Sequence, residues 1–268
     1  MVTKYSYPSW WKMAASAFLG DIRAKVLFKP KLIDLSVNGT DLKFFLGDPT
    51  GASWYRNASG INDDIENIEN LLLPKGDSSV IVEAGCHHGL TTLLLAKRVP
   101  NGHVYAFEAL PKNVEILSKN IGLNGCGNVT VIGKAVGSKG GEITIKEKPN
   151  SAVIPGAKCG LRVQVISIDE FVAQSGIVPD LLKIDVEGFE YDVFKGAVET
   201  LKKRPAVFVE IHTEIMGRYG HDVDDVWKHI DKTAYDVWVQ RGHQKPAPYA
   251  GEPITSRLHL LCRAKATN

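Results

Sequence analysis

The chain has 268 residues, of which 44% are hydrophobic and 23% charged, the proportions of an ordinary globular protein. Disorder, a collagen-like repeat and a coiled coil are thereby excluded, and the length suits one large domain or a domain with an extension. Its 32 Lys and Arg against 30 Asp and Glu leave a net charge of +2, which provides no basic footprint for nucleic acid.

Taken in chain order, residues 1–60 read as an N-terminal extension and 61–268 as the main domain. Ser9 to Ile22 suits a helix carrying Trp10, Trp11, Met13, Phe18 and Leu19, in a segment rich in Lys and Arg that could rest on a membrane surface. LSVNGTDLKFFLGD at 35–48 reads as a hairpin turning at Asn38-Gly39. In DDIENIENLLLP, Ile65, Ile68, Leu71 and Leu72 recur at helical spacing until Pro74 stops the pattern. From Ser79 short apolar runs alternate with amphipathic helices. The runs are SVIVEAG, HVYAFEA, NVTVIGKAVG, VQVISIDEF, LLKIDVEG and AVFVEIH. Continuous apolar strands between helices predict a doubly wound α/β fold with a mostly parallel sheet covered on both faces. YDVWVQ and RLHLLCRA, joined by a Pro/Gly-rich loop, predict a C-terminal antiparallel hairpin.

No apolar run reaches the ~18 residues of a membrane span. The four cysteines, Cys86, Cys126, Cys159 and Cys262, are scattered and include no C-x-x-C pair, which argues against a zinc site or redox dithiol. A reduced, cytoplasmic setting fits best.

The most informative segment follows the first strand of this alternating region. Val80-Ile81-Val82 runs into Glu83-Ala84-Gly85-Cys86-His87-His88-Gly89 and then a helix. Ligands in open α/β sheets bind at the carboxyl ends of strands, where strand order reverses. Gly85 would let backbone approach a ligand, Gly89 would allow tight packing, and the amides of the helix start favour an anionic group. Glu108 ends the next strand, where it could accept hydrogen bonds from both ribose hydroxyls. The glycine spacing is not G-x-G-x-x-G, and no G-x-x-x-x-G-K-[ST] loop exists. An acidic residue two positions before Gly85 suits the amino group or sulfonium of S-adenosylmethionine better than a pyrophosphate.

These features, with VIVEAGCHHGLTT (80–92), VYAFEALPKNVEIL (104–117), VIGKAVG (131–137) and LLKIDVEGFE (181–190), resemble the FkbM-type S-adenosylmethionine-dependent methyltransferases. The resembling stretch covers about residues 61–212, and K-I-D-V-E-G-x-E is its most specific part. The resemblance implies a class I, Rossmann-like methyltransferase fold and O-methylation of a sugar, polyketide or related metabolite. Carried over by motif, Glu83 and Gly85 would face the methionine part, Glu108 the ribose, Lys134 and Ala135 the adenine, and Asp185 would stand beside the sulfonium. His87, Gly89 and Ala109 would complete the cofactor-binding set. Glu83 replaces a commoner Asp, and His87-His88 a commoner small polar and apolar pair.

Methyl transfer to oxygen is an in-line displacement that needs alignment and loss of the acceptor's proton. Lys183 and Asp185 share one face of LLKID, and Glu210 and His212 share one face of VFVEIH, so neighbouring strands would gather all four near the methyl donor. His212 is then the candidate base, with a pKa near neutrality, and a solvated strand-end histidine is the blander reading. Lys183 with Glu210 could instead be a structural ion pair. Asp185 and Glu187 could hold Mg2+, but carboxylates beside a sulfonium are expected without metal, so a metal-free site is preferred. Trp10, Trp11, Trp54 and Tyr55 are either acceptor-pocket aromatics or core. The acceptor is expected to be a small-molecule or glycan hydroxyl, bounded by the lead-in region and loops near 147–160 and 241–256. The absence of a D-P-P-Y or Pro-Cys motif disfavours nucleic acid. A non-catalytic S-adenosylmethionine-binding protein, or methylation of another acceptor atom, remains the alternative.

Overall fold

A computed structural model describes residues 27–56, 59–73, 77–145 and 160–266. The helix expected over Ser9 to Ile22, and the basic N-terminal segment around it, lie outside the described residues. The first elements are strands β1 (Lys31–Val37) and β2 (Thr40–Leu46), an antiparallel pair. Their turn residues Asn38 and Gly39 both have positive φ, +47° and +72°, as a two-residue hairpin of matching twist requires. Val37, Leu42, Phe44 and Leu46 point inward. Helix α1 (Pro49–Tyr55) follows, capped by Asp48, then α2 (Ser59–Asn67), which runs on into a single π turn at Ile68–Leu72.

The remaining strands, in chain order, are β3 (Val80–Ala84), β4 (His103–Phe107), β5 (Val129–Ile132), β6 (Ala135–Val136), β7 (Gly141–Ile145), β8 (Leu161–Ile166), β9 (Leu181–Ile184), β10 (Ala206–Ile211), β11 (Tyr235–Gln240), β12 (Ala247–Pro248) and β13 (Leu258–Ala264). Eight of them form one sheet in the order β12-β11-β13-β10-β9-β3-β4-β5. From β3 the chain steps outward through β4 and β5, then returns to lay β9 on the other side of β3. Strand order therefore reverses between β3 and β9, and their carboxyl ends open a crevice there. The pairs β3–β4, β4–β5, β3–β9 and β9–β10 are parallel.

The expected C-terminal antiparallel hairpin is present: β13 lies between β10 and β11 at one end of the sheet and runs antiparallel to both. One feature departs from the simplest reading of the sequence: NVTVIGKAVG is not one strand. It breaks at Gly133-Lys134, where the Lys134 amide turns back to the Ile132 carbonyl at 2.8 Å. The second half becomes β6 of a separate three-stranded sheet, β6-β8-β7.

Alternation along the strands supplies two cores. One face sends Val82, Ala84, Leu182, Ile184, Val207 and Val209 against Val193, Phe194 and Ala197. The other sends Ile81, Leu181, Ala206 and Phe208 against Leu93, Leu94 and Leu95 of α3 (Leu90–Arg98) and against the hairpin's Val37, Leu42 and Phe44. The hairpin thus packs into the main core. Helix α4 (Pro111–Leu123) also serves it: Asn120 Oδ1 accepts from the Phe45 amide at 2.7 Å, and Asn124 both accepts from and donates to Lys43 backbone. Those side chains satisfy an edge that would otherwise be open to strand pairing. Among the described residues, no helix is long and apolar enough to cross a membrane.

Candidate functional site

At the tip of β3, backbone geometry comes first. Gly85 has φ +87°, and a Cβ there would lie 1.7 Å from the Asp185 carbonyl oxygen. The loop can cross the tip of β9 this closely only without a side chain. The amides of Gly85 and Cys86 both donate to the Phe107 carbonyl, at 3.0 and 3.1 Å. Gly89 has φ +86° at the start of α3, and its missing Cβ leaves room for Leu117. His87 lies between them in left-handed backbone, φ +50°, and its amide donates to Glu108 Oε2 at 2.8 Å.

A cleft opens over this arch. Gly85, His87, Glu108, Ala109, Lys134, Ala135 and Asp185 line it, together with Trp54, Phe107, Asn113, Ile143, Ile145, Glu187 and Phe189. Glu83, expected against the methionine part, and Gly89, expected in the cofactor-binding set, do not line it. Glu83 is fully buried; its carboxylate accepts from Thr92 Oγ1 at 2.6 Å and faces Lys183 Nζ at 3.4 Å. Gly89 serves packing. Asn113, unforeseen from sequence, donates to Glu108 Oε1 at 3.4 Å; a polar residue on the inward face of α4 was its one available signal.

Glu108 is held by two further donors, the amides of His87 and Leu110, both at 2.8 Å. Burial pushes its pKa up, and those amides only partly offset the shift. The His87-His88 pair is accommodated by the segment before it. The two rings stack 3.9 Å apart, and His88 is wholly buried against Gly51, where a Cβ would stand 2.2 Å from its Nδ1. Burial drives the His87 pKa down to about 3, so its ring is neutral, with Nδ1 2.7 Å from the Tyr55 hydroxyl.

A second cleft, with an empty volume of ≈ 1800 Å³, adjoins the first and shares Trp54, Gly85, His87, Asp185 and Glu187 with it. Lys183, Glu210, Asp64, Arg257, His243 and His259 add charged and titratable groups to its lining. Loop residues Gly242 and His243 reach it, as do Ser53 to Tyr55 from the lead-in region. Of the other loop expected to contribute, residues 146–159 lie outside the described residues.

Lys183, Asp185, Glu210 and His212 do come together, though not in the pairs the sequence suggested. Lys183 does not pair with Glu210. Register sets Glu83 directly beside Lys183, whereas Phe208 occupies the matching position on β10. Lys183 Nζ accordingly meets Glu83 Oε1 at 3.4 Å and Asp185 Oδ2 at 3.7 Å. Burial opposes the charge of Lys183, but the neighbouring carboxylates outweigh it and hold its pKa above the usual lysine value. Glu210 instead pairs with Arg257 and with His259, the latter at 3.5 Å. Those cations hold its carboxyl below the ordinary range despite burial.

His212 differs most from expectation. It lines neither cleft and is only 3% exposed, just beyond the end of β10. Nδ1 lies 2.7 Å from Glu190 Oε1, and Nε2 is 3.5 Å from Glu187, 3.9 Å from Glu210 and 4.0 Å from Asp185. Burial alone would lower its pKa, but Glu190 and the surrounding carboxylates raise it to about 9 rather than leaving it near neutrality. An imidazole in that state is already protonated at pH 7 and is not poised to accept another proton. Asp185 moves the other way for a carboxylate: burial and the Glu210 charge push it up to about 7.

The Methyltransferase FkbM domain family matches residues 83–237 of the chain. Hexuronic acid methyltransferase AglP of Haloferax volcanii is 29% identical over 182 residues, covering 66% of this chain and 72% of that protein. Methyltransferase sdnD of Sordaria araneosa is 27% identical over 156 residues, covering 44% of this chain and 60% of sdnD. Among solved structures, the fibrillarin pre-rRNA processing protein of Methanococcus jannaschii superposes with a TM-score of 0.49 at 14% identity, covering 90% of this chain and 84% of that one.

Proposed function

This chain belongs to the FkbM methyltransferase family, and from that premise we propose that it transfers the methyl group of S-adenosylmethionine to a hydroxyl oxygen of a sugar or related small molecule. The observation that carries the reading is the meeting of two clefts at Asp185 and Glu187. The first cleft offers the ribose carboxylate Glu108 and a β6 edge at Lys134 and Ala135 suited to adenine. The second holds the acceptor, so the methyl group passes across the Asp185 wall. S-adenosylmethionine bound in the first cleft would supply an activated methyl group and leave as S-adenosylhomocysteine, and the carboxylates bordering both clefts would take the acceptor's hydroxyl proton. Such transfer gains mainly from alignment of the two reactants.

Polar and charged groups line the second cleft, as a hydroxylated acceptor needs, and the hexuronic acid substrate named for AglP makes a sugar acid the first class to test. The net charge of +2 favours a small acceptor over nucleic acid. We assign residues 61–268 to the methyltransferase domain and 1–60 to an extension whose Trp54 and Tyr55 bound the clefts. A cytoplasmic setting, with Cys86, Cys126 and Cys262 as free thiols, belongs to the same reading.

Calorimetry with S-adenosylhomocysteine, S-adenosylmethionine and NAD tests the first cleft, and the two sulfur nucleosides alone should bind. Methyl-labelled donor with a panel of uronic acids and their glycosides tests the second, and the label should appear as an O-methyl group by NMR. Binding of NAD without S-adenosylhomocysteine would overturn the reading; label on nitrogen or carbon would overturn its oxygen specificity.

A further inference from the structure

Where the two clefts meet, lysine and arginine pair with only some of the carboxylates. Lys183 is engaged by Glu83 and Asp185, and Glu210 by Arg257 and His259. Among the described residues, no lysine or arginine lies within 4.0 Å of Glu187 or Glu190; each meets His212 instead. His212 is itself 97% enclosed, being 3% exposed. Glu190 is fully buried, and its Oε1 accepts from the Gly188 amide at 2.9 Å and from His212 Nδ1 at 2.7 Å. A carboxylate only accepts, so Nδ1 carries the proton. The other ring nitrogen, Nε2, is buried without a hydrogen-bond partner and faces Glu187 and Asp185, and a cation bound there would take the place of its proton.

We infer that Asp185, Glu187 and Nε2 of His212 form a binding site for one first-row divalent cation, with Glu190 fixing the imidazole from behind. One ligand atom from each of the three can be chosen so that all lie within 4.8 Å of one another. Ligands ~2.0–2.2 Å from a common ion stand roughly 3–4 Å apart, so small side-chain adjustments complete the site. The Glu190–His212 contact is the arrangement by which a second carboxylate sets the tautomer and direction of a metal-binding histidine. A mixed nitrogen and oxygen set suits Mn2+, Fe2+, Co2+ or Zn2+ better than Mg2+ or Ca2+, which prefer oxygen alone. The metal-free site preferred from the sequence weighed only Asp185 and Glu187; the imidazole that completes the set comes from 25 residues beyond Glu187.

Three protein ligands leave positions open, and two of the three line both clefts. An ion there would orient an acceptor hydroxyl and lower its pKa. This role rests on the proposed hydroxyl methylation; the binding site does not.

The test uses the full-length protein stripped with EDTA and dialysed. Mn2+ is titrated while the free-ion EPR signal is followed, Zn2+ is titrated by calorimetry, and Mg2+ is added as competitor. One ion per chain is expected, held at least about tenfold tighter than Mg2+. Glu190→Gln should weaken it by roughly 10–100-fold, and Glu187→Gln and His212→Gln by at least as much, while Glu190→Gln and His212→Gln, which lie outside both clefts, keep binding S-adenosylhomocysteine. Glu187 sits on a partly exposed turn, so Glu187→Gln decides the matter if His212→Gln does not fold. No saturable Mn2+ or Zn2+ binding to the wild-type chain, or binding unchanged in Glu187→Gln, overturns the site. Metal binding without S-adenosylhomocysteine binding would uphold the site and remove the methyltransferase reading instead.

Discussion

Glu83 and Lys183 are register partners on β3 and β9, and their side chains meet at 3.4 Å in the interior. Both are charges that a core tolerates only in each other's company. Removing the ammonium leaves a fully buried carboxylate with the Thr92 hydroxyl but no counter-charge, which typically costs about 3–5 kcal/mol. Lys183→Met should therefore lower unfolding free energy by that order, and the double variant with Glu83→Gln should be less destabilised than Lys183→Met alone. Denaturant titration of the three variants measures this. Lys183→Met within about 1 kcal/mol of wild type would mean the pair is not what keeps Glu83 buried.

The two loop glycines should respond differently to a methyl group. At Gly85 the added carbon meets the Asp185 carbonyl, which belongs to backbone and cannot swing aside; at Gly89 it meets the flexible Cδ1 end of Leu117. Both positions have positive φ, so both substitutions are strained. Gly85→Ala should weaken S-adenosylhomocysteine binding by about tenfold or more, since it displaces one cleft wall from the other. Gly89→Ala should mainly lower Tm. Calorimetry and thermal unfolding separate the two effects, and equal losses of affinity would contradict the assignment.

Glu108 Oε1 accepts from the Leu110 amide and from Asn113, whereas Oε2 accepts from the His87 amide, which leaves a lone pair on Oε2 for a ligand in the cleft. Hydrogen bonds to a charged group contribute about 1.5–3 kcal/mol. Glu108→Gln should thus reduce S-adenosylhomocysteine affinity by about tenfold or more. Affinity within about twofold of wild type would remove Glu108 from the cofactor site.

Asp48 links stability to pH. Although burial opposes it, contacts with His88 and the Gly51 amide hold its carboxyl well below the usual range. A carboxyl depressed in the folded state stabilises above its unfolded value of 3.8 and loses that contribution as pH falls toward its folded value. Stability of the wild-type chain should decline below about pH 4 more steeply than that of Asp48→Asn, which keeps the helix cap but not the charge. Parallel pH slopes in urea melts would exclude Asp48 as the source. Asp48→Ala also loses the cap and should cost about 1–3 kcal/mol at pH 7.

Much of the framework was legible because its signals are local. Asn38-Gly39 dictates the hairpin turn through its tolerance of positive φ. Ser167 and Glu170 make the capping box that starts the helix at Ile168. Apolar runs between amphipathic helices imply a covered parallel sheet, and the run after β3 announces a ligand loop before any coordinate is known. Side-chain alternation also puts Lys183, Asp185, Glu210 and His212 in one neighbourhood, since those residues end adjacent strands on a common face.

Which of them touch was decided elsewhere. Parallel register, set by strands about a hundred residues apart, places Glu83 beside Lys183 and Phe208 where Glu210 would have been needed. The insertion of β13 next to β10 brings His259 and Arg257 to Glu210. Packing buries His212 against Glu190 and turns Nε2 toward two carboxylates, which changes its proton affinity and its chemistry. The sequence determined the fold class, the cofactor-type loop and the list of polar residues at the strand ends, because those follow from local propensity and period. Only the tertiary structure decided their partners and protonation, because both depend on distances and burial that no local pattern encodes.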